Sequence, residues 1–198
     1  MHAFIAGTAS PRRHRILTQL GVDFTIFLPD CAEIHDVQNP VKTVTANALA
    51  KHSVCARNDA EAWILTADTV VEFEGRCLGK PTDPDDARRM LLSYSGKPQT
   101  VFTAVALSAP QQAPDLRIVA SAVQFKPYGA EVVEAYLTRA HPYDRAGAYD
   151  IDASGDMLIA AYTGSLTNIM GLPAESVSDW LRANAYPFPT QYNHAKFH

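Results

Sequence analysis

Cysteine is scarce: Cys31, Cys55 and Cys77 are the whole complement, odd in number and far apart. That excludes a disulfide framework, and the spacings match no zinc site. A reducing, cytoplasmic setting is expected. No apolar run approaches the roughly 20 residues that a membrane span needs, and the start of the chain lacks the apolar core and cleavage site of a leader. Basic blocks are missing too: 17 Lys and Arg against 21 Asp and Glu leave a formal net charge of −4. A stable nucleic-acid partner is therefore not expected, because duplex binding needs many phosphate contacts and single-strand binding needs aromatic platforms beside the arginines. Internal repeats and a linker between independent domains are also absent. What is present is a 198-residue chain with 47% hydrophobic residues, enough for one domain over 1–186 built as two lobes. The stretch 187–198, with scattered His and aromatics, reads as a loosely held tail.

The hydrophobic pattern predicts interspersed strands and helices without a clean βαβ repeat, hence a mixed α/β sheet flanked by helices. Ala3–Ala6 reads as a strand, and Ile16, Leu17 and Leu20 as one face of a helix. Val22, Phe24 and Ile26 alternate as a short strand, and a helix follows from about 41 to 57. Trp63–Phe73 is too continuously apolar for a half-exposed strand and is read as central. Glu74-Gly75 turns it into a hairpin with Arg76–Leu78; Asp83 then caps a helix with Pro84 at its first position. Gln99–Leu107 and Arg117–Phe125 are expected to pair antiparallel, followed by a helix over about 130–138, a strand Met157–Tyr162 and a last helix near Ala174–Asn184.

Two stretches carry chemistry. Gly7-Thr-Ala-Ser-Pro-Arg-Arg13 joins a strand to a helix, with Ser10 as N-cap and Pro11 at the first helical position. Arg12 and Arg13 then occupy the first turn, where the helix dipole disfavours cations by roughly 0.3–1 kcal/mol each, so an anion should compensate. Free N–H groups, a hydroxyl and two guanidinium forks suit a phosphate. Asp68 is the second anchor, a lone carboxylate in an apolar strand that needs a cation. An ion pair with one of the arginines, a metal ligand and a general base all meet that need. Ser10, Arg12, Arg13, Lys51 and Lys80 around Asp68 and Glu33 would balance a polyphosphate whose remaining charge is shared with Mg²⁺.

Taken together, Thr8–Arg13, Ala67-Asp-Thr-Val-Val71, Leu78-Gly-Lys-Pro81, Asp144-Arg-Ala-Gly-Ala-Tyr149, Gly164-Ser165 with Thr167-Asn168, and Gly171-Leu-Pro173 resemble, in order and spacing, the Maf family of nucleoside triphosphate pyrophosphatases. The resemblance spans about residues 3 to 184. It implies a two-lobed α/β fold around a central cleft, similar to that of the inosine triphosphate pyrophosphatases, and commonly a homodimer. It implies that water attacks the α-phosphorus of a nucleoside triphosphate with a divalent metal, Mg²⁺ or Mn²⁺, releasing a monophosphate and pyrophosphate. The matching positions make Asp68 the proton acceptor, Ser10, Arg13, Lys51 and Lys80 phosphate or catalytic contacts, and Glu33 a partner of Asp68 near the metal.

Three specificity positions of the thymidine/uridine-triphosphate branch carry Arg, Thr and Gln, the last within Gly-Ile-Gln-Gly. Arg12 and Thr69 match, but the third place reads Asp150-Ile-Asp-Ala153, with Asp152 at the glutamine position. An ionised aspartate only accepts hydrogen bonds, so Asp152 against the base would alter or broaden base preference. Alternatively Asp150 or Asp152 points to metal or solvent and selection is unchanged. A second functional class is a non-catalytic nucleotide-binding regulator of cell division, since the family is also linked to septum formation.

Overall fold

A computed structural model describes residues 2–152 and 154–188; Ala153 and the part of the expected tail from 189 to 198 lie outside the described residues. Elements follow in the order β1 (Phe4–Gly7), α1 (Pro11–Gln19), β2 (Thr25–Ile26), α2 (Pro40–Asn58), β3 (Trp63–Phe73), β4 (Arg76–Leu78), α3 (Pro84–Tyr94), β5 (Pro98–Ser108) and β6 (Asp115–Phe125). Then come α4 (Ala130–Ala140), two single 3₁₀ turns, β7 (Ile159–Thr163), α5 (Leu166–Ile169) and α6 (Ala174–Ala183). The strands form one seven-stranded sheet in the order β2-β1-β3-β5-β6-β7, with β4 also on β3. β1 pairs parallel with β2 and β3, whereas β3-β4, β3-β5, β5-β6 and β6-β7 are antiparallel.

β3 runs through both lobes, and its sequence shows why. Trp63, Leu65 and Ala67 enter an apolar cluster with Ile16 and Leu17 of α1 and Val177, Trp180 and Leu181 of α6. Four residues beyond Ala67 on the same face, Val71 and then Phe73 enter a separate cluster with Leu91 and Tyr94 of α3 and Val133, Tyr136 and Leu137 of α4. The opposite face of the first lobe is covered by α2, through Val44, Ala48 and Cys55 against Val70, Ile5 and Ile64. Full burial of each large apolar side chain is worth roughly 1.5–3 kcal/mol. Thr69 occupies the position where one cluster ends and the next begins, so the polar stretch of β3 marks the boundary between lobes.

The mixed sheet, the central β3, the β3-β4 hairpin and the antiparallel β5-β6 pair match the expectations from sequence. Glu74 and Gly75 both adopt positive φ, 52° and 79°, which gives the hairpin turn its hand. The alternating stretch at Val22–Ile26 contributes only two strand residues: Val22 is buried in the α1/α6 cluster, and Thr25 and Ile26 alone pair with β1. β7 begins at Ile159, later than expected, because Gly155–Met157 forms a 3₁₀ turn first. Among the described residues no helix is long and apolar enough to cross a membrane.

Candidate active site

The sheet's edge pattern creates the site. Strand β1 covers β3 as far as the pair Gly7 and Thr66, and β4 covers it again only from Val71 onward. Residues 67–70 of β3 therefore have an open edge, while β5 covers their other side. Successive side chains of a strand point to opposite faces, so Asp68 faces α2 and Thr69 faces α1, and both line a cleft of about 610 Å³ at this gap. Pockets for small molecules commonly span about 300–1,000 Å³.

On the α2 side, Lys51 Nζ lies 2.8 Å from Asp68 Oδ1 and 2.9 Å from Glu33 Oε1. Asn47, one turn earlier on α2, donates from Nδ2 to Asp68 Oδ2 at 3.0 Å and from the same amide to Ile34 O, while its Oδ1 accepts from Ile34 N at 2.8 Å. One side chain thus holds both the Asp68 carboxylate and the loop that carries Glu33. The cation that Asp68 required is Lys51, not one of the arginines. Lys80, just beyond β4, is exposed and lines the cleft, and no ion pair of its ammonium is found among the described residues.

On the α1 side the two arginines have separate partners. Arg13 is committed to the protein: Nε donates to Gly171 O at 2.8 Å, Nη1 to Ala67 O at 2.9 Å and to Thr8 Oγ1 at 3.2 Å, and Nη2 to Thr69 Oγ1 at 2.9 Å. It fills the open edge of β3, and burial pushes its guanidinium down to about 10, with Asp68 opposing that shift. Thr69 in turn is hydrogen-bonded to Thr103 Oγ1 at 2.9 Å. Arg12 Nη1 pairs with Asp150 Oδ2 at 3.0 Å. The anion that the first turn of α1 called for is thus supplied, for Arg12, by the protein itself. Ser10 stands at the N-cap position without a side-chain cap bond; its N–H donates instead to Thr8 Oγ1 at 3.2 Å. Its hydroxyl is left beside the cleft.

Asp150 and Asp152 behave differently. Asp150 is buried, 7% exposed, and takes both Arg12 and Arg145 Nε, the latter at 3.1 Å. Burial alone would raise its carboxyl, but the bond to Asp152 and the two guanidiniums hold it below the usual carboxylate range. Asp152 is pushed up, by burial and by the facing Asp150. It pairs with Arg15 on the outer side of α1 and is not among the residues lining the cleft.

Of the residues singled out from sequence, Ser10, Arg12, Arg13, Glu33, Lys51, Asp68, Thr69 and Lys80 meet around this one cleft, and Asp152 does not. Sequence reasoning missed Asn47 and Arg145. Asn47 had a legible signal, since it precedes Lys51 by one helical turn and so shares its face.

The chain resembles known proteins over nearly its whole length. The Maf-like protein family matches residues 3–184. A dTTP/UTP pyrophosphatase of Moorella thermoacetica is 39% identical over 183 residues, covering 91% of this chain and 94% of that one. One of Dictyoglomus thermophilum is 36% identical over 185 residues, covering 92% and 96%. Among solved structures, the Ham1 protein of Staphylococcus aureus superposes with a TM-score of 0.52 at 12% identity, covering 92% of this chain and 99% of that one, a likeness of fold. With the family matching nearly the whole chain and two relatives above one-third identity, the chain belongs to the Maf-like protein family.

Proposed function

We propose that this protein hydrolyses pyrimidine nucleoside triphosphates of the dTTP/UTP type to the monophosphate and pyrophosphate. The observation that carries this reading is the placement of Asp68: a carboxylate held by Lys51 and Asn47 at the open edge of β3, in a cleft that the N-terminus of α1 also lines. The names of the relatives point to the same reaction.

In this reading Asp68 accepts the proton of the attacking water, fixed in orientation by its two donors. Lys80 and the hydroxyl of Ser10 receive the triphosphate, beside the first-turn N–H groups of α1, which have no intrahelical acceptor. Lys51 counters the charge of Asp68 and Glu33, so that the anionic tail can approach them. Arg13 keeps the Thr8 loop, the β3 edge and Gly171 in register.

The donor chemistry of Glu33 and Asp68, hard carboxylate oxygens drawn together on Lys51, fits a divalent cation that arrives with the phosphates. Two carboxylates leave most of such a cation's oxygen positions to phosphate oxygens and water. Mg²⁺ or Mn²⁺ would there neutralise phosphate charge.

The pairing of Asp152 with Arg15 supports the alternative in which residue 152 does not read the base. In that alternative the aspartate leaves base selection unchanged, and selection rests on side chains that do line the cleft.

The test is release of pyrophosphate and monophosphate from UTP and dTTP with Mg²⁺ or Mn²⁺, for the native protein and for Asp68→Asn. Turnover that falls by a factor on the order of 10² or more in the variant supports the assignment. Tight nucleotide binding without turnover in the native protein would replace it with the regulator.

A further inference from the structure

Asp150 stands behind the cleft wall, not in it, and its surroundings are built. Its carboxylate takes Arg12 Nη1 at 3.0 Å and Arg145 Nε at 3.1 Å, and both arginines line the cleft. Its N–H donates to the hydroxyl of Tyr136 at 2.8 Å, and Tyr136 is wholly buried in α4. The acid is therefore anchored through its backbone to the second lobe while it holds a side chain of the first.

This changes what Arg12 offers. A guanidinium whose charge is cancelled at close range has less to give a phosphate than the unpaired ammonium of Lys80, but its remaining N–H donors stay fixed in a planar fork. Such donors suit neutral carbonyl oxygens. The wall beside Arg12 and Arg145 also carries Tyr149, Ile151 and Ile169, whereas Glu33, Lys51 and Asp68 lie toward α2. An aromatic ring bearing carbonyls fits the first, and a triphosphate the second.

We propose that Asp150 is a positioning residue that holds Arg12 as a directional donor to the carbonyl edge of the pyrimidine base. This rests on the proposed function and names the part of the site that reads the base. It requires Asp150 to act on nucleoside recognition, through Arg12, and not on the phosphates.

The experiment compares native protein, Asp150→Asn, Arg12→Met and the double variant. It measures kcat and KM for UTP and the inhibition constant of inorganic tripolyphosphate, which has no base. Asp150→Asn is expected to raise KM for UTP about tenfold, the usual size of a lost charge-assisted hydrogen bond, with kcat within about twofold and tripolyphosphate inhibition unchanged. Adding it to Arg12→Met produces no further rise, because the two act as a unit. Additive effects, an unchanged KM, or equal losses for UTP and tripolyphosphate overturn the proposal. If Asp150→Asn does not fold, Tyr136→Phe removes the backbone anchor: a rise of about threefold in KM with unchanged tripolyphosphate inhibition supports the proposal, and no rise overturns it. If the native protein turns over no triphosphate, the proposed function fails by itself; binding of a non-hydrolysable α,β-methylene UTP, compared between native protein and Asp150→Asn by calorimetry, then decides the role of Asp150.

Discussion

Lys51 Nζ lies 2.8 Å from Asp68 Oδ1, with both side chains 13% exposed, and this one contact explains how a carboxylate persists in the middle of an apolar strand. The pair is nearly closed to solvent, so Coulomb attraction is weakly screened, and Asn47 satisfies the second oxygen. Glu33, half exposed on the same ammonium, makes Lys51 the cation for two acids.

Lys51→Met should therefore affect both activity and stability. It leaves Asp68 with a single donor and places two carboxylates near one another without a cation. Turnover is expected to fall by a factor on the order of 10², and stability by about 1–3 kcal/mol, less than for a fully enclosed pair because water still reaches the site. Steady-state kinetics and denaturant melts read the two effects separately. Full activity in this variant would remove Lys51 from the mechanism.

Arg13 is expected to be irreplaceable by lysine. Its fork spans Gly171 O, Ala67 O and the Thr69 hydroxyl, which a single ammonium cannot do. Leaving a buried carbonyl unmet costs about 1–3 kcal/mol, so Arg13→Lys should lower Tm by about 2–12 °C at about 2–4 °C per kcal/mol. The pH dependence follows from the sign of the shift. Burial lowers its guanidinium to about 10, so the charged form is penalised in the folded state at every pH below that, and relief begins only as pH rises above it. The stability difference between native protein and Arg13→Met should accordingly be flat between about pH 5 and 9, as thermal melts across that range will show.

The parts of this site that were legible from sequence are those fixed by local pattern. Ser10-Pro11 before an amphipathic stretch marks a helix start, and an eleven-residue apolar strand interrupted by Asp68 marks a buried acid. The partners were not legible, because they depend on register. Arg13 reaches Gly171 across 158 positions and Arg15 reaches Asp152 across 137, distances over which no periodicity speaks. The fate of Asp152 was hidden for the same reason. Its sequence place suggested the base, but the turn carrying Asp150 directs the buried acid inward to Arg12 and leaves Asp152 to Arg15 outside the cleft. The short helix α5 went unread because four residues are too few for a helical period.

Because Asp152 does not line the cleft, Asp152→Gln should leave substrate choice alone. Relative kcat/KM values for UTP, dTTP and CTP are expected to stay within about twofold of the native protein, and the loss of an exposed pair should cost at most about 1 kcal/mol. A variant that becomes several-fold more selective for UTP and dTTP would return residue 152 to the base.

Gly7 links packing to chemistry most directly. It is the last residue of β1, paired with Thr66, and the chain then turns into the Thr8–Ser10 loop beside Asp68. A Cβ at this position would stand 2.5 Å from Thr66 Cγ2 and 2.6 Å from Cys55 Sγ, both closer than real contacts allow. Cys55 is buried on α2 and cannot swing out to solvent, so Gly7→Ala must push β1 away from α2 or β3. Overpacking of this kind costs about 1–3 kcal/mol. The displaced strand end also moves Thr8, whose hydroxyl accepts from both Ser10 N and Arg13, so kcat should fall together with Tm. Cys55→Ala removes one of the two clashes, and the double variant Gly7→Ala with Cys55→Ala should recover part of both losses. Recovery of stability without any recovery of kcat would mean that the loop, and not the strand, sets the position of Ser10.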